Sequence, residues 1–393
     1  MFKQLTEAQL DPILSLSIAY REDTRAEKMD LGIGVYRNSQ GETPIMHAVQ
    51  QAQQKVIETQ TTKAYVGLAG NETFNQAMMD LLLTNTSAHQ RAAGVQTPGA
   101  SGALRMLADL MRLAQPDTTV WISDPSYVNH KPVMEAAGLK VKYYPYFDRV
   151  SKQVNREAML AALAKAGPKD VVLLHGCCHN PTGADIAFED WQAITALANK
   201  NGFMPFVDIA YQGFGDGLEQ DVAGLKYMAD HTEEMVIATS CSKNFGLYRE
   251  RTGAAIVISD SLKEAQKAKG RILNLARSTY TMPPDHGAAL VATILTDDAL
   301  TATWREELSQ MQARMVSLRA GLTQAVRAQG TDAFNFIEQH KGMFSVTGLS
   351  PEQIARLRDE FAIYAVGDGR INIAGLREQQ IDYLAHALVT VSQ

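Results

Sequence analysis

The chain has 393 residues, 46% of them hydrophobic and 20% charged, with a formal net charge of -6. That length suggests two or three units with a sizeable core, and an acidic balance without any Lys/Arg-rich block gives nucleic-acid binding no electrostatic support. Three cysteines, two of them adjacent, make no disulfide framework, no basic and apolar leader opens the chain, and no apolar run nears the ~18 residues of a membrane span, so a cytoplasmic protein is expected.

Asp11-Pro12-Ile13-Leu14 marks a helix start with proline at an early position. Residues 31–36 read as a short strand whose Gly32 and Gly34 let another backbone or a ligand approach, although a plain turn explains them as well. A helical period follows over 44–60, and a Gly-punctuated loop over 62–70 carries Tyr65. Residues 96–102, Gln-Thr-Pro-Gly-Ala-Ser-Gly, run into a helical pattern from Ala103. A glycine loop opening a helix exposes N–H groups and the positive dipole end, which suits a phosphate; a plain helix cap is the other reading. Neither G-x-G-x-x-G nor the Walker A pattern is present, so a dinucleotide or nucleoside triphosphate is not indicated.

Residues 120–125 are strand then turn and deliver Tyr127 and His130 to the next loop; Tyr127 could stack on a flat ring or pack on the domain. A buried strand at 171–175 ends in Gly176-Cys177-Cys178-His179-Asn180-Pro181-Thr182-Gly183. Adjacent cysteines cannot make the C-x₂-C grip of structural zinc and no second ligand pair exists, so a turn is expected and no metal. Residues 203–214 place Asp208 inside an apolar strand, where a carboxylate needs a cation, either a structural partner or a protonated cofactor nitrogen. The apolar run 235–239 then leads to Ser240-Cys241-Ser242-Lys243, with Lys243 at a strand end, where open α/β sheets bind ligands. Such a lysine, partly desolvated, is a candidate for Schiff-base chemistry with an aldehyde, a solvated loop lysine being the ordinary alternative. Arg251 follows eight residues on, able to bind an anion.

Strand, loop and helix signals between about 95 and 260 predict an α/β fold with a mainly parallel, doubly wound sheet. A helix over about 297–329 carries Leu300, Trp304, Leu308, Met311, Met315, Leu318 and Leu322 at threes and fours, long enough to bridge two domains. Residues 331–393 alternate strand and helix as a small α/β domain.

These motifs together resemble the class I aspartate and aromatic amino acid aminotransferases, fold type I pyridoxal-phosphate enzymes. The resemblance spans essentially the whole chain and is strongest over residues 175–183, 208–214 and 242–248. It implies a large domain with a mainly parallel seven-stranded sheet over 43–310, a smaller α/β domain over 311–393, and an N-terminal arm with part of the small domain over 1–42. It also implies pyridoxal 5'-phosphate as cofactor. Lys243 would bind the cofactor aldehyde covalently and later move the substrate Cα proton, Asp208 would pair with the pyridinium nitrogen, and Tyr211 and Asn180 would bond the phenolic oxygen. Ala100, Ser101, Ser240, Ser242 and Arg251 would hold the phosphate, joined by Tyr65 from a neighbouring subunit, which implies a homodimer with shared active sites. Tyr127 would cover the ring. Gly34, Tyr127, Asn180 and Arg370 would bind substrate, Arg370 through its α-carboxylate, and Arg277 of the partner subunit would meet a side-chain carboxylate.

Three positions depart from the aspartate-specific pattern of that family: Tyr127 stands where a tryptophan is usual, Thr281-Met282 replaces Ser-Asn, and the phosphate loop carries Ser101. The expectation is transamination of aromatic amino acids and of aspartate and glutamate with 2-oxoglutarate, a dedicated aspartate aminotransferase being the alternative. Ser240-Cys241-Ser242-Lys243 formally fits the S-x-x-K of serine acyl-enzymes, but their S-D-N and K-T-G companions are missing. A binding protein that had lost catalysis is expected to have lost Lys243, Asp208 or Arg370, and all three are present.

Overall fold

The computed structural model describes residues 1–7 and 12–393. Asp11, at the expected helix start, lies outside them, and helix α1 covers Pro12–Glu22. The further helices used below are α2 (His47–Thr59), α3 (Gly99–Ala114), α4 (Leu262–Thr279), α5 (Asp298–Arg327), α6 (Pro351–Phe361) and α7 (Ile381–Ser392). Among the described residues no helix is long and apolar enough to cross a membrane.

Continuous apolar runs such as 235–239 produce strands that are covered on both faces. Seven strands build the central sheet: β1 (Ala92–Pro98), β2 (Thr119–Asp124), β3 (Lys140–Pro145), β4 (Asp170–His175), β5 (Met204–Ile209), β6 (Met235–Ser240) and β7 (Thr252–Ile258). Their spatial order is β1-β7-β6-β5-β4-β2-β3. Only β7 runs antiparallel to its neighbours in this sheet. Strand β3, at the edge, exposes Lys140 and Lys142, a charge pattern that blunts edge pairing and hides the strand from a search for apolar runs.

Helix α5 has 30 residues, about 45 Å of rise. Its Leu300, Trp304, Leu308 and Met315 belong to the core under the large sheet. Its Leu318, Leu322 and Val326 belong to a second core with Ile371, Leu384 and Leu388. One helix therefore has its apolar face shared between two cores, as the length of its periodic pattern suggests.

The strand expected over residues 31–36 does not form. Regular pairing stops at Met29–Asp30, parallel to Ile363–Tyr364, and side chains then satisfy the backbone. Asn372 Nδ2 donates to the Ile33 and Val35 carbonyls at 2.7 and 2.8 Å. Arg370 Nη2 donates to the Gly32 carbonyl at 2.9 Å, and Asp30 Oδ1 accepts from the Gly32 and Ile33 amides.

Candidate active site

Strands β4, β5 and β6 are parallel neighbours, with His175 opposite Asp208 and Asp208 opposite Ala238. Their carboxyl ends therefore open on one edge, where a parallel sheet presents its loops to ligands. A cleft of about 180 Å³ lies there, lined by Gly34, Ala100, Ser101, Tyr127, Asn180, Asp208, Tyr211, Ser240, Ser242, Lys243 and Arg251 from the expected set.

Asp208 is buried, and one histidine answers only half of it. His130 Nε2 lies 2.7 Å from Asp208 Oδ2, whereas Oδ1 is buried without a hydrogen-bond partner among the described residues. Burial alone would raise the carboxyl pKa, but the His130 hydrogen bond and the charges of His130, His175 and Lys243 outweigh it and hold Asp208 below the usual carboxylate value. His130 Nδ1 meets Ser126 Oγ at 2.9 Å, and that hydroxyl lies 3.3 Å from His175 Nε2. A carboxylate kept ionised with one free acceptor fits a protonated ring nitrogen.

The small-residue segment 99–102 is the first turn of α3 rather than a loop before it. Its N-cap, Pro98, makes no side-chain cap bond, so first-turn N–H groups are left for a ligand. Gly99 has φ +68°, and a Cβ there would lie 2.5 Å from Arg251 Nη2; glycine lets the guanidinium approach the helix start. Ser240 Oγ donates to Ser242 Oγ at 2.9 Å. A helix N-terminus with one guanidinium and two hydroxyls on the same cleft has the donor set of a phosphate cradle.

Lys243 Nζ sits 4.6 Å from the centroid of the Tyr211 ring. Burial pushes its pKa below the ordinary lysine value and Arg251 adds to this, while Tyr127 and Asp208 pull it back up. Asn180 Nδ2 donates to Tyr211 Oη at 3.4 Å and Asn180 Oδ1 accepts from Arg370 Nη1 at 3.3 Å. Arg370 lies over the Phe344 ring at 4.5 Å, has a buried Nε without a partner, and pairs with no carboxylate among the described residues. Such a guanidinium is ready for a planar carboxylate.

Three expected residues do not line the cleft: Arg370, which meets it through its hydrogen bond to Asn180, and two that lie on the surface. Tyr65 is 89% exposed, and Arg277 is exposed in the last turn of α4. Conversely, His175, Cys177 and Tyr248 line the cleft without having been assigned from sequence, and neither was His130 as the partner of Asp208. Of these, Tyr248 had a local signal, lying five residues beyond Lys243. Cys177, Cys178 and Asp221 place their ligand atoms within 4.8 Å of one another. Asp221 already accepts from the amides of Gly213, Gly215 and Asp216, and both thiol pKa values are raised, Cys178 to about 12; the cluster reads as a turn clasp.

A family model described as aminotransferase class I and II matches residues 26–388. The chain is 47% identical to the aromatic-amino-acid aminotransferase of Paracoccus denitrificans over 97% of each chain. It is 42% identical to the aspartate aminotransferase of Escherichia coli (strain K12) over 100% of each. A crystal structure of the aromatic-amino-acid aminotransferase from Burkholderia pseudomallei, covalently bound to pyridoxal phosphate, matches with a TM-score of 0.97 at 39% identity, covering 100% of both chains.

Proposed function

The chain belongs to the class I and II aminotransferases, and from that premise we propose how this pyridoxal-phosphate-dependent transaminase uses its cleft and which amino acids it serves. The observation that carries the reading is the unpartnered Oδ1 of buried Asp208 on the same cleft as Lys243. When bound, pyridoxal phosphate supplies an aldehyde that takes up the amino group and a ring that draws electrons from the substrate Cα.

Asp208 Oδ1 accepts the N–H of the protonated ring nitrogen. Ala100 and Ser101 at the start of α3, with Ser240, Ser242 and Arg251, hold the phosphate. Tyr211 and Asn180 hydrogen-bond the phenolic oxygen, and Tyr127 covers the ring. Lys243 Nζ, kept low in pKa by burial, takes the proton from the substrate Cα as general base. Arg370 grips the α-carboxylate in a bidentate pair, with Gly34 beside it. Exposed Tyr65 and Arg277 complete the cleft of a second copy in a homodimer.

The substrates we assign are phenylalanine, tyrosine and tryptophan, together with aspartate and glutamate, with a 2-oxo acid such as 2-oxoglutarate as acceptor. Arg277 can pair with a side-chain carboxylate or swing aside, while Met282 offers apolar surface to a ring. The purified protein should be yellow, its absorbance should shift on adding an amino acid, and Lys243→Ala should lower turnover by about 10²-fold or more. Comparable kcat/KM for phenylalanine and aspartate is expected. Negligible phenylalanine turnover would leave the dedicated aspartate aminotransferase.

A further inference from the structure

Residues 31–37 run from the smaller core to the cleft, and both ends of this path are held by side chains. On the smaller side, Asn372 holds the Ile33 and Val35 carbonyls, Arg370 holds the Gly32 carbonyl, and the Arg37 amide donates to the Ala374 carbonyl at 2.9 Å. On the other side, the Tyr36 amide donates to Tyr248 Oη at 2.9 Å. Tyr248 belongs to the loop that carries Lys243, and it lines the cleft together with Gly34. The segment is also tightly seated: a Cβ on Gly34 would lie 3.2 Å from Phe344 Cζ, in the ring under the Arg370 guanidinium.

We propose that Tyr248 is a positioning residue: its hydroxyl pins the Gly34 segment to the Lys243 loop and so fixes the carboxylate-binding geometry at Arg370. The Gly32 carbonyl that orients Arg370 sits four residues before the Tyr36 amide. Freeing that amide loosens the orienting acceptor, while the groups that hold the cofactor stay in place. Tyr248 thus sets affinity for the amino acid and 2-oxo acid through their shared carboxylate.

This inference rests on the aminotransferase reading, which the wild-type protein tests separately through its colour and its binding of 3-phenylpropionate, a carboxylate analogue without an amino group. The discriminating variant is Tyr248→Phe in the cofactor-loaded enzyme. Its Kd for 3-phenylpropionate should rise about three- to tenfold, the scale of one lost hydrogen bond. KM should rise in parallel with kcat changed less than about twofold, and amide exchange of the peptide spanning 31–37 should quicken. The absorbance maximum should stay at the wild-type position. An unchanged Kd, a weakened Kd with unchanged exchange, or a shifted absorbance maximum would each overturn the assignment.

Discussion

His130 Nε2 stands 2.7 Å from one oxygen of Asp208 while the other oxygen, buried beside it, has no partner among the described residues. The two residues are 78 positions apart and meet because β2 and β5 flank β4 in the sheet. One side of the carboxylate is anchored by the protein, and the other is the acceptor that the proposed function gives to a ring nitrogen.

Removing the anchor should therefore be costly. His130→Ala leaves Asp208 a buried charge without its neighbour, and a loss of about 2–4 kcal/mol in unfolding free energy is expected for the cofactor-free protein. Combining it with Asp208→Asn should recover part of that loss. Urea unfolding of the two single variants and the double variant gives the coupling; strictly additive values would show that the pair is not linked.

Two glycines on helices should respond to alanine in opposite directions. At Gly99 the new methyl meets Arg251 Nη2 at 2.5 Å with φ at +68°, so Gly99→Ala should destabilise by about 1–2 kcal/mol. It should also weaken cofactor binding about tenfold, as one charge-assisted contact is displaced. At Gly270, within α4, a Cβ meets nothing within 4 Å, and Gly270→Ala should stabilise by about 0.5–1 kcal/mol. Thermal denaturation and cofactor titration of both variants test the pair.

Acid should weaken the fold through its buried histidines. Burial lowers the His175 pKa to about 3 and the His340 pKa to about 4, and drives His179 well down too. Below the unfolded value of about 6.5 the unfolded chain binds protons that the native state refuses, so stability falls as pH drops from there towards 4. Asp185, lifted to about 6 by burial, has the opposite slope, because the native state holds its extra proton between about 4 and 6. Three histidines outweigh one carboxylate, with His175 and His340 contributing roughly 2–3 kcal/mol each by pH 4.5. Tm should drop from pH 7 to 4.5, and His175→Asn should flatten the curve; a flat wild-type curve would contradict the burial argument.

What the sequence determined by itself was local. Apolar runs specified β4, β5 and β6, the spacing along 297–329 specified α5, and Lys243, Asp208 and the small-residue segment at 99–102 stood out as candidates by residue type and neighbourhood. Edge strand β3 was not legible, because lysines replace the apolar pattern there, and residues 31–36 looked like a strand until Asn372 and Arg370 claimed their carbonyls. Only the tertiary structure decided which oxygen of Asp208 is free, that His130 holds the other, and that Tyr248 reaches the amide of Tyr36 across 212 positions. Periodicity reports how a residue sits relative to its neighbours in the chain. Hydrogen-bond partners far apart in sequence are chosen by strand order and crossover connections, which no local pattern encodes.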